Sequence, residues 1–289
     1  MISKLMGVIN ITPDSFSDGN QFNSLESFST RFNELLEWAD IIDVGAESSA
    51  PMNKSVPKLE ELKRYQDVFF PFLEKTADPQ ITISIDTYKI EVFREVAIKL
   101  NLHWPSTKII FNDVSGKLDS ELIDLLTNFK IPFTYIYSHN LCRSRKDCLK
   151  HMDQVLDLHD FEFVKSVVEY FISGIDIINE TQRPFMIDPC FGFSKSREQN
   201  HTLLKYFKTF LLQLPYSIPC VYGISKKSFL RFPKDLDVKD KENIIVLEQM
   251  QSILMYELLK ESLQRELIFR VHEPKSFQAA NNIKKLFDL

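Results

Sequence analysis

A chain of 289 residues with 44% hydrophobic and 26% charged side chains can bury a large core, as one domain or two. Its net charge of -5 argues against broad nucleic-acid binding, which needs a basic footprint. No apolar run approaches the roughly 20 residues of a membrane span, and four cysteines in this length suggest no disulfide framework. With no signal-peptide plan ahead of the first apolar run, a cytoplasmic protein is expected.

The chain opens on a short apolar and β-branched run, Met6 to Ile9, that reads as a buried strand. It breaks at Asn10 into a polar turn segment carrying Pro13, Asp14, Ser15, Phe16 and Gly19. Apolar residues at 25, 28, 32, 35 and 36 predict a helix over 24–38. Strand two follows at 41–44, ending in Asp43-Val44-Gly45-Ala46-Glu47-Ser48-Ser49-Ala50-Pro51, and a helix over 58–73. Strand three, 81–85, closes on Asp86-Thr87-Tyr88-Lys89 and leads to a helix reaching about Leu100. Strand four, 108–111, closes on Asn112-Asp113-Val114-Ser115-Gly116, with a helix from Ser120.

Strand five is expected at 133–137, then a polar, basic connection to about Lys150 and helical pattern to Phe171. Strand six, 185–187, ends in Asp188-Pro189-Cys190-Phe191-Gly192-Phe193-Ser194-Lys195, before a helix from about Gln199 to Gln213. Strand seven, around 220–222, ends in Gly223-Ile224-Ser225-Lys226-Lys227-Ser228. A charged loop is expected over 231–243 and a long helix over roughly 241–266. Strand eight, 268–271, ends at His272, and Pro274 suits the first position of a last helix. Eight strand-helix units without linker or internal repeat argue for a single-domain α/β fold spanning 1–289, a closed (β/α)8 TIM barrel.

In such a barrel the carboxyl ends of the strands share the face where active sites are built. Asn10, Asp86, Asn112, Asp188, Lys227 and His272 come from six strands and would meet there. A strand-ending Asp or Asn is more often a cap or turn former, and Asp43 and Asp113 are read that way. Glycine supports the grouping: of only seven in the chain, Gly7, Gly19, Gly45, Gly116, Gly192 and Gly223 lie in these loop motifs, each in or beside a strand end.

Taken in order, the motifs at Asn10–Gly19, Ser84–Lys89, Asn112–Gly116, Asp188–Lys195, Gly223–Ser228 and Arg270–His272 resemble those of dihydropteroate synthase over nearly the whole chain. The resemblance implies a transferase of folate biosynthesis that joins a pterin carrying a CH2-pyrophosphate to p-aminobenzoate and releases pyrophosphate. It places Asp86, Asn112, Asp188, Gly223 and Lys227 around the pterin, with Asp86 and Lys227 in catalytic roles. Asn10, Arg270 and His272 fall at the pyrophosphate, with Mg2+ as cofactor held from Asn10. Phe16, Ser49, Pro51, Phe193 and Ser228 match positions around p-aminobenzoate, the pocket that sulfonamides compete for, although either Phe would equally suit a core. Similar enzymes are often dimers, and the long helix near 244–266 is a candidate for pairing.

The chain departs from that family where Ala50 replaces an arginine of the second loop, at Cys190 for glycine, at Lys226 for arginine and at Glu273 for aspartate. An alanine does not replace a guanidinium fork. Two alternatives stay open on that ground: a methyltetrahydrofolate-corrinoid type of methyltransferase on the same scaffold, and a non-catalytic pterin-binding relative. A further group, His139, Cys142, Cys148 and His151, has zinc-ligand residue types without a strong spacing; solvated loop residues are the expectation there.

Overall fold

Strands that are apolar on both faces suit burial between an inner core and an outer ring of helices. The protein, known from a computed structural model that describes residues 3–12, 24–48, 55–230 and 265–279, builds that arrangement. Eight parallel strands, β1 (Ser3–Asn10), β2 (Ile41–Gly45), β3 (Thr82–Asp86), β4 (Lys108–Asp113), β5 (Thr134–Ser138), β6 (Phe185–Asp188), β7 (Cys220–Tyr222) and β8 (Leu267–Val271), close in sequence order into a barrel. The expected (β/α)8 barrel is what the chain adopts.

Among the described residues the helices around it include α1 (Leu25–Trp38), α2 (Lys58–Arg64), α3 (Phe70–Lys75), α4 (Ile90–His103), α5 (Ser120–Asn128), α6 (Asp160–Glu180), α7 (Arg197–Lys205) and α8 (Phe207–Leu212). Several start where a side chain satisfies an orphan N–H. Ser24 and Ser27 form a capping box on α1, Asp119 accepts from Leu122 at 2.9 Å on α5, and Ser196 with Gln199 caps α7. The first residue of the final helix is Pro274, as the sequence predicts. The helix expected over 241–266 lies outside the described residues, apart from its last two positions.

Three expectations change. The helix over 58–73 is α2 and α3 joined through a π turn at Tyr65–Phe69. Pro71 removes one N–H from the ladder there, and a wider turn accommodates the loss. The helix expected from Gln199 to Gln213 is two, broken at Tyr206 (φ -103°, ψ 19°). Between β5 and α6 the chain runs in 3-10 turns (Arg145–Gln154), and the helix starts only at Asp160. Arg145 explains the delay. Its guanidinium donates to Asp113 (2.7 Å), Asp119 (3.1 Å) and the carbonyls of Tyr88 (2.9 Å) and Lys117 (2.8 Å), which ties the segment across the loops after β3 and β4.

Inside the barrel, Met6, Ile41, Ile110, Ile136, Met186, Val221 and Ile268 form one apolar layer, so its middle is filled. Outside, strand and helix side chains pack in a larger core rich in aromatics, including Phe28, Phe32, Phe72 and Trp104 between α1, α3 and α4. Among the described residues no helix is long and apolar enough to cross a membrane.

Candidate active site

Side chains along a strand alternate between faces, so the apolar inner layer fixes which residues look inward above it. Two positions beyond Ile41 is Asp43, beyond Ile110 is Asn112, beyond Ile136 is Ser138, beyond Met186 is Asp188 and beyond Ile268 is Arg270. Asp86 pairs in register with Asn112, and Gly45 with both Asn10 and Asp86. These residues therefore rise from the inner layer toward the carboxyl mouth. Asp113 has the opposite parity; it accepts from Arg145 and from the Ser115 N–H at 2.9 Å, a loop-forming role as expected.

At the centre of the mouth sits Arg270. Its Nε donates to Asp43 Oδ2 at 2.7 Å and its Nη2 to Asp86 Oδ2 at 2.7 Å. Asn112 Nδ2 donates to the same Asp43 carboxylate at 3.2 and 3.3 Å. Asp43, fully buried, is thus no cap: it orients both Arg270 and Asn112, a correction to the sequence reading. With its N–H side turned to Asp43, Asn112 presents Oδ1, which has no hydrogen-bond partner among the described residues; the inward hydroxyls of Ser84 and Ser138 also lack one.

Asp86 and Asp188 are hard to ionise. Burial and then the neighbouring Asp43 push Asp86 up to about 7, against the pull of Arg270. Burial likewise raises Asp188, one oxygen of which accepts the Cys190 N–H at 2.7 Å. Burial, reinforced by Arg270, lowers Lys227. The Lys227 ammonium lies 4.8 Å from the centre of the Phe193 ring and passes beside Gly192, where a Cβ would meet Lys227 Cδ at 3.4 Å. Gly192 has φ +86°, a conformation that glycine adopts freely.

At one side of the mouth the Asn10 amide oxygen lies over Gly45, where a Cβ would come within 3.1 Å of it. Past the end of β8, the strand paired with β1, the Ser225 hydroxyl accepts the His272 N–H at 3.2 Å and lies 3.0 Å from His272 Nδ1. Burial, then the charges of Lys226 and Arg270, hold His272 well below its usual range. That shift favours the neutral ring, to whose Nδ1 the Ser225 hydroxyl can donate its own hydrogen. The proton of the imidazole is then on Nε2. Arg31 of α1 donates to the His272 carbonyl and fixes the end of β8. Two departures from the family pattern meet nearby, Lys226 Nζ standing 3.9 Å from Glu273.

The structure places Gly223 beside Arg270, and Ser228, exposed, at the start of a 3-10 turn after Lys227. Phe193 packs with Tyr88, Val114, Cys142, Cys148 and Cys190 in an apolar cluster above the barrel. Phe16, Ser49, Ala50 and Pro51 lie outside the described residues. The second loop is anchored where it is described. Lys89 pairs with Glu47 and, at 2.6 Å, with Glu61, and Glu47 Oε1 accepts the Val56 N–H at 2.7 Å.

His139, Cys142, Cys148 and His151 are buried, not solvated, and they do not gather round a metal position. His139 Nδ1 faces the Lys195 ammonium at 2.8 Å, and His151 Nδ1 accepts the Ser194 N–H at 3.2 Å. The opposite mouth of the barrel holds a cavity of about 680 Å3 lined by Lys4, Thr82, Lys108, Thr134, Met186 and Ile268, away from the convergent carboxylates.

A barrel whose carboxyl mouth offers buried acceptors beside a cationic wall defines an enzyme for a flat heteroaromatic rich in N–H donors. The family described as "Pterin binding enzyme" matches residues 6–264. The chain is 30% identical to the dihydropteroate synthase of Escherichia coli over 228 residues, 78% of this chain and 74% of that one. With the synthase of Clostridium beijerinckii it shares 31% over 240 residues, 82% and 79% of the two chains. The structure of the Thermus thermophilus synthase in complex with 4-aminobenzoate superposes with a TM-score of 0.71 and 25% identity, covering 99% of this chain and 94% of that one. The chain belongs to the dihydropteroate synthase family. It is an enzyme, a transferase of folate synthesis.

Proposed function

We propose that the carboxyl mouth joins 6-hydroxymethyl-7,8-dihydropterin pyrophosphate to p-aminobenzoate with release of pyrophosphate. The observation that supports it most is the set of buried acceptors at the mouth: Asn112 Oδ1 has no partner among the described residues, and Asp86 and Asp188, both raised by burial, each carry a second oxygen besides the one that accepts from Arg270 or from the Cys190 N–H. A pterin's aminopyrimidone edge supplies the missing N–H groups. Asp188 and Asn112 read that edge, with Asp86 nearby and Gly223 leaving room, while Lys227 donates to the carbonyl side of the ring.

The leaving group needs donors and positive charge. His272 offers its Nε2–H, Asn10 its amide, and Arg270 its charge, two of its nitrogens being held by Asp43 and Asp86. The carbon–oxygen bond breaks with its electron pair on pyrophosphate, leaving a pterin-methyl cation. Asp86, close to the ring and anionic once deprotonated, stabilises that cation electrostatically. The amine of p-aminobenzoate, in the pocket assigned to Phe16, Ser49, Pro51, Phe193 and Ser228, then forms the carbon–nitrogen bond and loses a proton.

Mg2+ fits this donor set as a companion of the substrate. Among the described residues no three His, Cys, Asp or Glu side chains gather as a metal site, whereas one amide oxygen, Asn10 Oδ1, faces the mouth. A single protein oxygen supplemented by phosphate oxygens is a common Mg2+ arrangement, and when bound the ion would neutralise charge on the pyrophosphate. A homodimer belongs to the same reading, and sedimentation tests it. Ala50 leaves the second loop without its usual arginine, so sulfonamides are expected to compete weakly. Turnover of the two substrates by purified protein with and without Mg2+ is the test; no product at high enzyme concentration defeats the proposal.

A further inference from the structure

The loop after β6 has an unusual backbone. Cys190 (φ +49°), Gly192 (φ +86°) and Ser194 (φ +49°) are all left-handed, two of them without glycine's freedom. Such a conformation costs about 1–2 kcal/mol for an ordinary L-residue, so something must hold it. The alternation turns the carbonyls of Cys190 and Phe193 toward one point, where the Lys195 ammonium lies at 3.1 and 2.9 Å. The same ammonium is 3.3 Å from the carbonyl of His139 and 2.8 Å from its Nδ1, both in the connection after β5. Lys195 is only 2% exposed and has no carboxylate within hydrogen-bonding distance among the described residues.

The geometry points to Lys195 as a positioning residue for the synthase reaction. Its ammonium, clasped by His139 and the loop carbonyls, holds the β6 loop in the strained shape that keeps Phe193 against Lys227 and the Cys190 N–H on Asp188. It touches no substrate and acts through those two contacts. Burial pushes Lys195 down to about 7, so retention of its proton depends on the acceptors around it. His139 is held well below its usual range by burial and by Lys195, so its Nδ1 is free to accept. Neighbouring contacts stitch the same two loops: Ser194 Oγ donates to Asn140 Oδ1 at 3.0 Å, and the Leu141 N–H donates to Ser194 Oγ at 3.0 Å. The group that the sequence offered as a zinc candidate thus supplies the fixed wall to which the β6 loop is fastened.

The inference rests on the synthase reading for its kinetic consequences, so the experiment has two arms. In the kinetic arm Lys195→Met raises the KM for p-aminobenzoate about tenfold while kcat stays within threefold, because the loop must be reordered before Phe193 can pack. In the hydrogen-exchange arm, which needs no turnover, the amides of Cys190 and Ser194 exchange at least tenfold faster in Lys195→Met, with amides of β3 and β4 unchanged. A KM within twofold of the parent, or unchanged exchange at Cys190 and Ser194, overturns the proposal. Should Lys195→Met fail to fold, His139→Leu removes one acceptor and leaves the lysine its three carbonyls. It is expected to speed the same amides at least threefold, and parental exchange there overturns the proposal. A parent protein without turnover defeats the synthase reading, while the exchange arm still decides what Lys195 does to the loop.

Discussion

Replacing Asp43 by Asn tests the charge arrangement at the centre of the mouth. Asparagine keeps the shape but turns one acceptor oxygen into an NH2, which must face either Arg270 Nε (2.7 Å in the parent) or Asn112 Nδ2 (3.2 Å). One charge-assisted hydrogen bond is lost in a buried setting, about 1.5–3 kcal/mol. The loss depends on pH through Asp86, whose carboxyl is raised to about 7 by burial and Asp43. A carboxyl with a raised folded-state pKa binds its proton more tightly in the folded chain. Stability therefore falls as pH rises from the unfolded value near 4 toward 7, by roughly 3 kcal/mol between pH 5 and pH 8 from this group alone. Removing the Asp43 charge lowers the Asp86 pKa and shrinks that fall. Asp43→Asn therefore costs its full 1.5–3 kcal/mol at pH 5, where Asp86 is protonated, and about 1 kcal/mol less at pH 8. Urea unfolding of the unliganded parent and variant at both pH values measures it. A cost that is equal at the two pH values, or larger at pH 8, refutes the account.

Asp188→Asn exchanges an acceptor-only group for one that presents a donor to the pterin edge, and calorimetric pterin affinity is expected to fall tenfold or more, about 1.5–3 kcal/mol. At position 190, with φ +49°, glycine is expected to be more stable than alanine by about 1 kcal/mol in urea unfolding; equal midpoints for Cys190→Gly and Cys190→Ala would contradict the strain assigned there. Lys89→Met leaves Glu47 and Glu61 buried without their cation and is expected to cost about 3–5 kcal/mol, with Glu61→Gln in the same chain recovering part of it.

Much of the barrel is legible along the chain, because strand-sized apolar runs alternate with helical periods and each run stops at a polar turn. The motifs at Asn10, Asp86, Asn112, Asp188, Lys227 and Arg270–His272 are local, and they carry the family resemblance without reference to geometry. The roles of Asp43 and Asp113 are not local. Asp43 lies in the middle of β2 and Asp113 ends β4, and when both faces of a strand are apolar no alternation along the sequence says which side an aspartate faces. Closure of the sheet settles it, setting Asp43 among Arg270 and Asn112 and Asp113 outward against Arg145.

The same holds for His139, Lys195 and Ser194. The residue type of His139 suggests a ligand or a solvated loop, and Ser194 and Lys195 read only as the end of a motif, since spacing along the chain carries no record of which side chain from another strand will fill the space opposite. Hydrogen bonds between residues some fifty positions apart, such as Lys195 to His139, exist only once two loops have been carried to one end of the barrel. Local periodicity determined the elements and their order. Partners, burial and charge state came from the folded arrangement, because each depends on what the tertiary structure removes from water and places within a few ångströms.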